Sequence, residues 1–143
     1  MENKIIYMFT QSCYIEKNTL ELRNKLEELG YKYGGKERTY GEAKALYCHF
    51  DRFYECVQKP SRYESIVNCK DNEELFLAIA ALTNTTDRNQ WFIYDSTDCI
   101  VEQLRQKFWF QCEEDKVEDM MYYDSMYLNC KKATLKEIIE HFK

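Results

Sequence analysis

The side chains best suited to chemistry are seven cysteines and two histidines, His49 and His141. Zinc sites need three or four Cys, His or carboxylate ligands that converge on one point. Cys48 and His49 are adjacent, so a strand would direct them to opposite faces, and no Cys-x-x-Cys spacing occurs. Because a cysteine outside such a site behaves as a small apolar side chain, the sequence predicts reduced core cysteines, no metal and no cofactor.

Nucleophilic catalysis needs a base beside the thiol or hydroxyl. We expect His49 in a strand and His141 in the last turn of a helix, where an imidazolium is favoured by the carbonyl end. The spacing selects no Cys–His pair. The sequence therefore predicts no enzyme, and a thiol-dependent enzyme is the third of three functional hypotheses.

A polar loop at 83–89 offers the best cluster for a small anionic ligand. Arg88 and Asn89 could hydrogen-bond such a ligand, and Trp91 or Phe92 could stack on a base. The alternative hypothesis is therefore a binder that captures a small nucleotide-type ligand.

The most distinctive stretch is 113–127, in which acids alternate with aromatic and methionine side chains. Its candidate partner-binding residues are Glu113, Glu114, Asp115, Glu118, Asp119, Tyr122, Tyr123 and Tyr127. Such a run commonly forms a solvated edge, yet apolar anchors set amid charge are also typical of interfaces. The primary hypothesis is a surface that docks on a basic protein or competes with nucleic acid for a basic groove.

Size and charge restrict the possible partners. A chain of 143 residues, 45% hydrophobic and 31% charged, predicts one globular domain spanning residues 1–143. Twelve tyrosines exceed what one small core can bury with every hydroxyl paired, so some should line a surface. A net charge of −5 argues against direct binding of nucleic acid, which requires clustered Lys and Arg.

The compartment is predicted from what the sequence lacks. The cysteines are odd in number, residues 1–20 contain no continuous apolar segment behind a basic start, and no stretch has the length of a membrane-spanning helix. We therefore expect a protein of the reducing cytoplasm with no membrane partner. The sequence does not indicate the oligomeric state.

A short apolar run, a polar stop and a capped helix recur along the chain. The pattern predicts a strand at 4–9 before a helix that Asn18 caps and Gly30 ends. It predicts a strand at 63–69 before a helix capped by Asp71. It also predicts a final helix over 135–142, with one apolar face.

The remaining elements follow from β-propensity and helical spacing. We predict a hairpin over 45–57 that turns at Asp51-Arg52, a turn at Gly34-Gly35 and a central strand at 90–94. The other predicted elements are a helix over 98–108, a strand at 109–112 and a hairpin over 120–128 that turns at Asp124-Ser125. Together they indicate an α+β fold: a mixed or mostly antiparallel sheet with three to four helices packed on it.

Two stretches, Leu26–Gly35 and Asn72–Leu82, resemble sequences of small accessory proteins encoded by bacteriophages. Some of those proteins inhibit host defence by binding a defence protein, by mimicking nucleic acid or by sequestering a nucleotide signal. The resemblance implies an anti-defence inhibitor in the host cytoplasm and carries no catalytic residues across.

Overall fold

The computed structural model describes residues 11–36, 43–60, 65–121 and 123–143. Within these ranges eight strands form two sheets that pack with four α-helices, which confirms the α+β class. The elements are β1 (Cys13–Ile15), α1 (Leu20–Glu28), β2 (Lys32–Lys36), β3 (Ala45–His49), β4 (Arg52–Cys56), β5 (Val67–Asn68), α2 (Glu73–Ala80), β6 (Trp91–Asp95), β7 (Lys107–Gln111), α3 (Asp124–Leu128), β8 (Cys130–Lys132) and α4 (Leu135–Phe142). The strands are divided between two sheets, where the sequence pattern suggested one.

The first sheet is mixed and has the order β2-β4-β3-β1-β5. The predicted hairpin is present as β3 and β4, but its turn lies one residue earlier, because Arg52 pairs with His49. Phe50 occupies the turn with a φ of 59°, a value that a bulky residue rarely adopts. The predicted strand at 4–9 lies outside the described residues, and β1 at Cys13–Ile15 was not predicted.

Gly34 and Gly35 lie in β2 and do not form the predicted turn. A Cβ on Gly34 would overlap the ring of Tyr54, and Gly35 has a φ of 91° where the register with β4 shifts. Gly35 therefore permits a β-bulge, and Gly34 permits the close approach of the Tyr54 ring.

The second sheet is antiparallel with the order β7-β6-β8, and β6 is its central strand as predicted. The predicted helix over 98–108 is wrong. The chain there forms a 3-10 turn at Glu102–Leu104 and then β7. Ile100 is 94% exposed and Leu104 58% exposed, so the helical spacing of these side chains has no surface to pack against.

The predicted hairpin over 120–128 is also wrong, since a 3-10 turn at Val117–Met120 and the short helix α3 occupy this stretch. Val117, Met120 and Met121 pack against Phe92 on one face of the second sheet. Helical turns satisfy the backbone locally while these side chains cover the sheet.

One cluster of buried side chains joins both sheets and three helices. Its members include Ile15, Leu46 and Phe53 from the first sheet, Ile93 from the second, and Leu22, Leu26, Phe76, Ile79 and Ile138 from α1, α2 and α4. Five of the seven cysteines are buried, and none forms a disulfide. The shared core fixes the two sheets relative to each other.

Two predicted helix caps are displaced by one residue. Thr19 caps α1 in place of Asn18, whose amide donates to Glu55 Oε2 at 2.7 Å. Asn72 caps α2 in place of Asp71 and also donates to the Phe142 carbonyl at 2.6 Å. The amide of Asn72 therefore connects the start of α2 to the end of α4, which a carboxylate at that position could not do.

The dual role of Asn72 gives a stability prediction. Asn72→Ala should lower the free energy of unfolding by roughly 1–2 kcal/mol, because the cap and the bond to Phe142 are both lost. The exposed neighbour Asp71 is the control, and Asp71→Ala should change stability by less than about 0.5 kcal/mol. Urea unfolding measures both, and an equal loss in the two variants would contradict the assignment of the cap.

Glu137 gives a pH prediction. Lys131 Nζ at 2.6 Å and the Thr134 N–H at 3.0 Å hold the pKa of this carboxyl below its ordinary value of 4.5. A depressed pKa adds stability above the unfolded-state pKa, and that stability is lost as the pH falls through the folded-state pKa. The stability advantage over Glu137→Gln should therefore be present at pH 7 and shrink below about pH 4.5. A difference independent of pH in urea unfolding would refute this role.

Candidate functional site

The acidic segment, residues 113–119, is held by hydrogen bonds to the loop that follows α2. Arg88 Nε lies 2.9 Å from Asp115 Oδ1, and Arg88 Nη1 donates to the Glu113 carbonyl at 2.7 Å. The nearby Asp115 carboxylate raises the pKa of Arg88, so the guanidinium stays charged. This fork of two hydrogen bonds fixes both position and orientation, as a single ammonium could not.

Asp87 provides a second attachment to the acidic segment. Its backbone N–H donates to the Asp115 carbonyl at 2.9 Å, and its Oδ2 accepts from the Val117 N–H at 2.8 Å. The Val117 side chain is only 4% exposed and packs with Phe92 and Cys112. Hydrogen bonds and one buried anchor therefore hold the backbone of the acidic segment in a defined conformation.

The carboxylates of the acidic segment face solvent. All five predicted acids are exposed: Glu113, Glu114, Asp115, Glu118 and Asp119. Arg88 offsets the charge of Asp115, which leaves four carboxylates and one ammonium, that of Lys116, in the segment. The structure thus gives the acidic segment a net negative outer surface.

Exposed aromatic and apolar side chains lie beside the acidic segment. Tyr123 is 71%, Tyr127 42% and Leu128 79% exposed, and α3 packs next to the 3-10 turn at Val117–Met120. Tyr122 lies outside the described residues. Tyr127 and Leu128 share a cavity of about 370 Å³ with Asp87, Phe92, Val117, Cys130, Lys131 and Lys132. The sequence did not indicate this cavity, because it depends on packing between α3, β6 and β8.

The four residues of the alternative ligand site lie in different surroundings. Arg88 is engaged by the acidic segment, and the Asn89 N–H donates to the Cys112 carbonyl at 2.8 Å. Trp91 and Phe92 are successive residues of β6 and face opposite sides of the sheet. The Trp91 ring packs 5.2 Å from that of Phe142, whereas Phe92 is 4% exposed beneath the acidic segment. The structure does not gather these four side chains around one opening.

Four of the seven thiols lie in surroundings that disfavour nucleophilic reactivity. A hydrogen bond between the Cys13 and Cys48 side chains together with burial raises the pKa of Cys13, and burial raises the pKa values of Cys69, Cys112 and Cys130. A thiol whose pKa is raised stays protonated near neutral pH and is a weak nucleophile. These surroundings fit a packing role for the four thiols.

The sequence did not predict one polar contact, between Ser12 and His49. Ser12 Oγ lies 2.6 Å from His49 Nδ1, and Ser12 is 6% exposed. The pair forms because Cys13 and Cys48 are register partners of β1 and β3, which places Ser12 across from His49. His141 lies in the last turn of α4 as predicted and stacks on Trp109 with ring centroids 3.9 Å apart. Only the register of β1 could have revealed the first contact.

No cluster of three or more His, Cys, Asp or Glu side chains suited to a metal ion occurs in the described ranges. Across the same residues, none of the helices has the length and apolarity needed to cross a membrane. No protein-family model, curated protein or solved structure matches the chain significantly.

Removing the Arg88 fork should loosen the acidic segment without unfolding the protein. In Arg88→Ala, hydrogen–deuterium exchange should become faster at the amides of residues 113–117. The free energy of unfolding should change little, because the ion pair is exposed. Asp115→Asn is the matched variant, and its effect should be smaller because the bond to the Glu113 carbonyl remains. Unchanged exchange in Arg88→Ala would show that the fork does not order the segment.

Proposed function

We propose that the protein is a non-enzymatic binder whose acidic segment docks on a basic surface of another protein. Tyr123, Tyr127 and Leu128 contribute apolar contact, and together with the acidic segment they form what we term the docking face. The observation that supports this proposal is that the acids are attached to the folded body by Asp87 and Arg88 while their carboxylates remain exposed.

The attachment matters because association costs conformational entropy. A segment already held in place loses less freedom on binding than a flexible acidic tail would. Its negative potential would attract a basic partner from a distance and select against acidic ones. Large apolar side chains grouped at the surface are typical of interaction sites, and the adjoining cavity could receive an anchoring side chain of the partner.

The biological setting is part of the proposal. The resemblance to phage accessory proteins supports a host defence factor as the partner, and inhibition would follow from covering a basic surface that the factor needs. The overall charge of −5 agrees with a partner of opposite charge. The docking face would then act by occupying a site and would require no reactive side chain.

A nucleotide-type ligand has weaker support. The cations nearest the cavity are already paired, with Lys132 Nζ 3.6 Å from Asp87 Oδ1 and Lys131 Nζ 2.6 Å from Glu137 Oε2. Arg88 is bound to Asp115. A phosphate would therefore have to compete with a carboxylate for each of these cations. A rise in melting temperature on adding cyclic nucleotides or NAD-derived signals would favour this ligand over a protein partner.

Charge reversal tests the docking face. Glu113→Lys, Glu114→Lys and Asp119→Lys together should abolish capture of the partner from host lysate and abolish inhibition of the purified partner. Complementary potential would become repulsive over the whole acidic segment. Raising the ionic strength should weaken the wild-type complex, because exposed charges are screened.

The matched control changes net charge equally at other exposed acids: Glu27, Glu28 and Glu102. Reversal of these three to Lys should leave capture and inhibition intact, and circular dichroism should show that both triple variants are folded. Equal loss in the two variants would indicate a response to net charge alone. Undiminished inhibition by the first variant would refute the docking face.

A further inference from the structure

The outer edge of β7 has no hydrogen-bonding partner among the described residues. Cys112 N–H donates to the Gln90 carbonyl and Ser96 N–H to the Gln106 carbonyl, each at 2.8 Å. The backbone groups of even-numbered residues along β7 therefore point inward to β6. Those of Lys107, Trp109 and Gln111 point away from the sheet, where β7 is an edge strand. Three N–H groups and three carbonyls are thus presented in a row.

This edge carries little of the protection that edge strands commonly have. Proline, bulges and repeated lysines usually prevent pairing with another chain, but β7 reads Lys-Phe-Trp-Phe-Gln with one lysine at its start. Phe108 is 44% exposed, and the preceding loop presents Ile100 and Val101 at 94% and 48%. An aromatic edge strand of this kind is suited to pairing with a further strand.

We propose that the occupant of this edge is β7 of a second copy, paired antiparallel about a two-fold axis at Trp109. In this register Lys107 lies opposite Gln111 of the second copy, and Trp109 lies opposite its own equivalent. All six outward backbone groups of each strand are then paired. The result is a continuous six-stranded sheet with an isologous interface.

Charge complementarity selects the second copy and this register. Continued beyond the strand, the register sets Arg105 of one copy opposite Glu113 of the other, twice by symmetry. Both side chains are exposed, and Arg105 has an extended backbone with φ −76° and ψ 120°. Opposite charges directly across antiparallel strands attract. If the two-fold axis lay at Phe108 or Phe110, Arg105 would no longer lie opposite Glu113. One end of β7 would then extend past the end of β7 in the second copy.

The aromatic side chains also match in this register. Phe108 would lie opposite Phe110 of the second copy, on the sheet face where both rings already adjoin others. Phe108 is 5.2 Å from Tyr94 and 6.1 Å from Phe110, whose ring is 5.8 Å from that of Phe92. Pairing would extend this row of rings across the two-fold axis and bury its exposed end.

A proline at an outward position tests the proposal. Lys107 is the first residue of β7 and its N–H makes no bond within the sheet, so Lys107→Pro should fold. By sedimentation it should raise the dimer dissociation constant by about tenfold, because two symmetry-related hydrogen bonds are lost. Lys107→Ala removes the same side chain but keeps the N–H, and its dimer should persist.

A charge exchange tests the register and does not depend on the proline variant. Arg105→Glu and Glu113→Arg should each weaken the dimer about tenfold, and the double variant should restore it. Because Glu113 also belongs to the docking face, Arg105→Glu is the variant that weakens the dimer while leaving the acids of that face unchanged. Amides of Lys107, Trp109 and Gln111 should exchange more slowly as protein concentration rises. A wild-type protein that stays monomeric at every concentration, a dimer indifferent to Lys107→Pro, or a double variant that fails to restore association would overturn the proposal.

Discussion

The burial of β6 on both faces is the constraint on which the rest of the molecule depends. Ile93 enters the core shared with the helices and the first sheet, while Phe92 is covered by Val117, Met120 and Met121. Among the described residues β6 is the central strand, and β7 and β8 are the edges of the sheet. The acidic segment lies where it does because its one buried side chain, Val117, covers the Phe92 face.

The same packing links two features that look unrelated in the sequence. Arg88 lies in the loop before β6 and the acidic segment follows β7, so pairing of these strands brings cation and carboxylates together. Arg88, a candidate ligand-binding residue in the sequence, thus holds the acidic segment in place. An exposed ion pair adds little to the free energy of unfolding. It does, however, fix the orientation of the acidic segment, which we propose as part of the docking face.

Elements with strong local signals could be predicted from the sequence. The apolar stripe of α4 and the Thr134–Glu137 capping box act within a few residues, and the aromatic run of β6 has few alternatives. Ile100, Val101 and Leu104 have helical spacing but no neighbouring surface to bury them. The spacing of apolar residues shows which face a helix could bury, but it does not show whether another surface is there to cover that face. The prediction of a helix over 98–108 was wrong for this reason.

For the candidate site, the composition of residues 113–119 predicted exposed acids. Contacts between residues far apart in the sequence could not be predicted. The Arg88–Asp115 pair joins positions 27 residues apart and the Ser12–His49 contact positions 37 apart. Each follows from a strand register, and a register is fixed by the assembled core. Strand β1, of three residues, is too brief for any periodic signal, whereas β5 lies within the strand predicted at 63–69.

The central claim is that the acidic segment is ordered before a partner arrives. Backbone ¹⁵N relaxation of the unbound protein measures this most directly. The account predicts order parameters of about 0.85 for residues 113–119, as for rigid backbone, and similar to those of β6. Values below about 0.6 in this segment, with β6 remaining rigid, would show a flexible acidic chain and contradict the account.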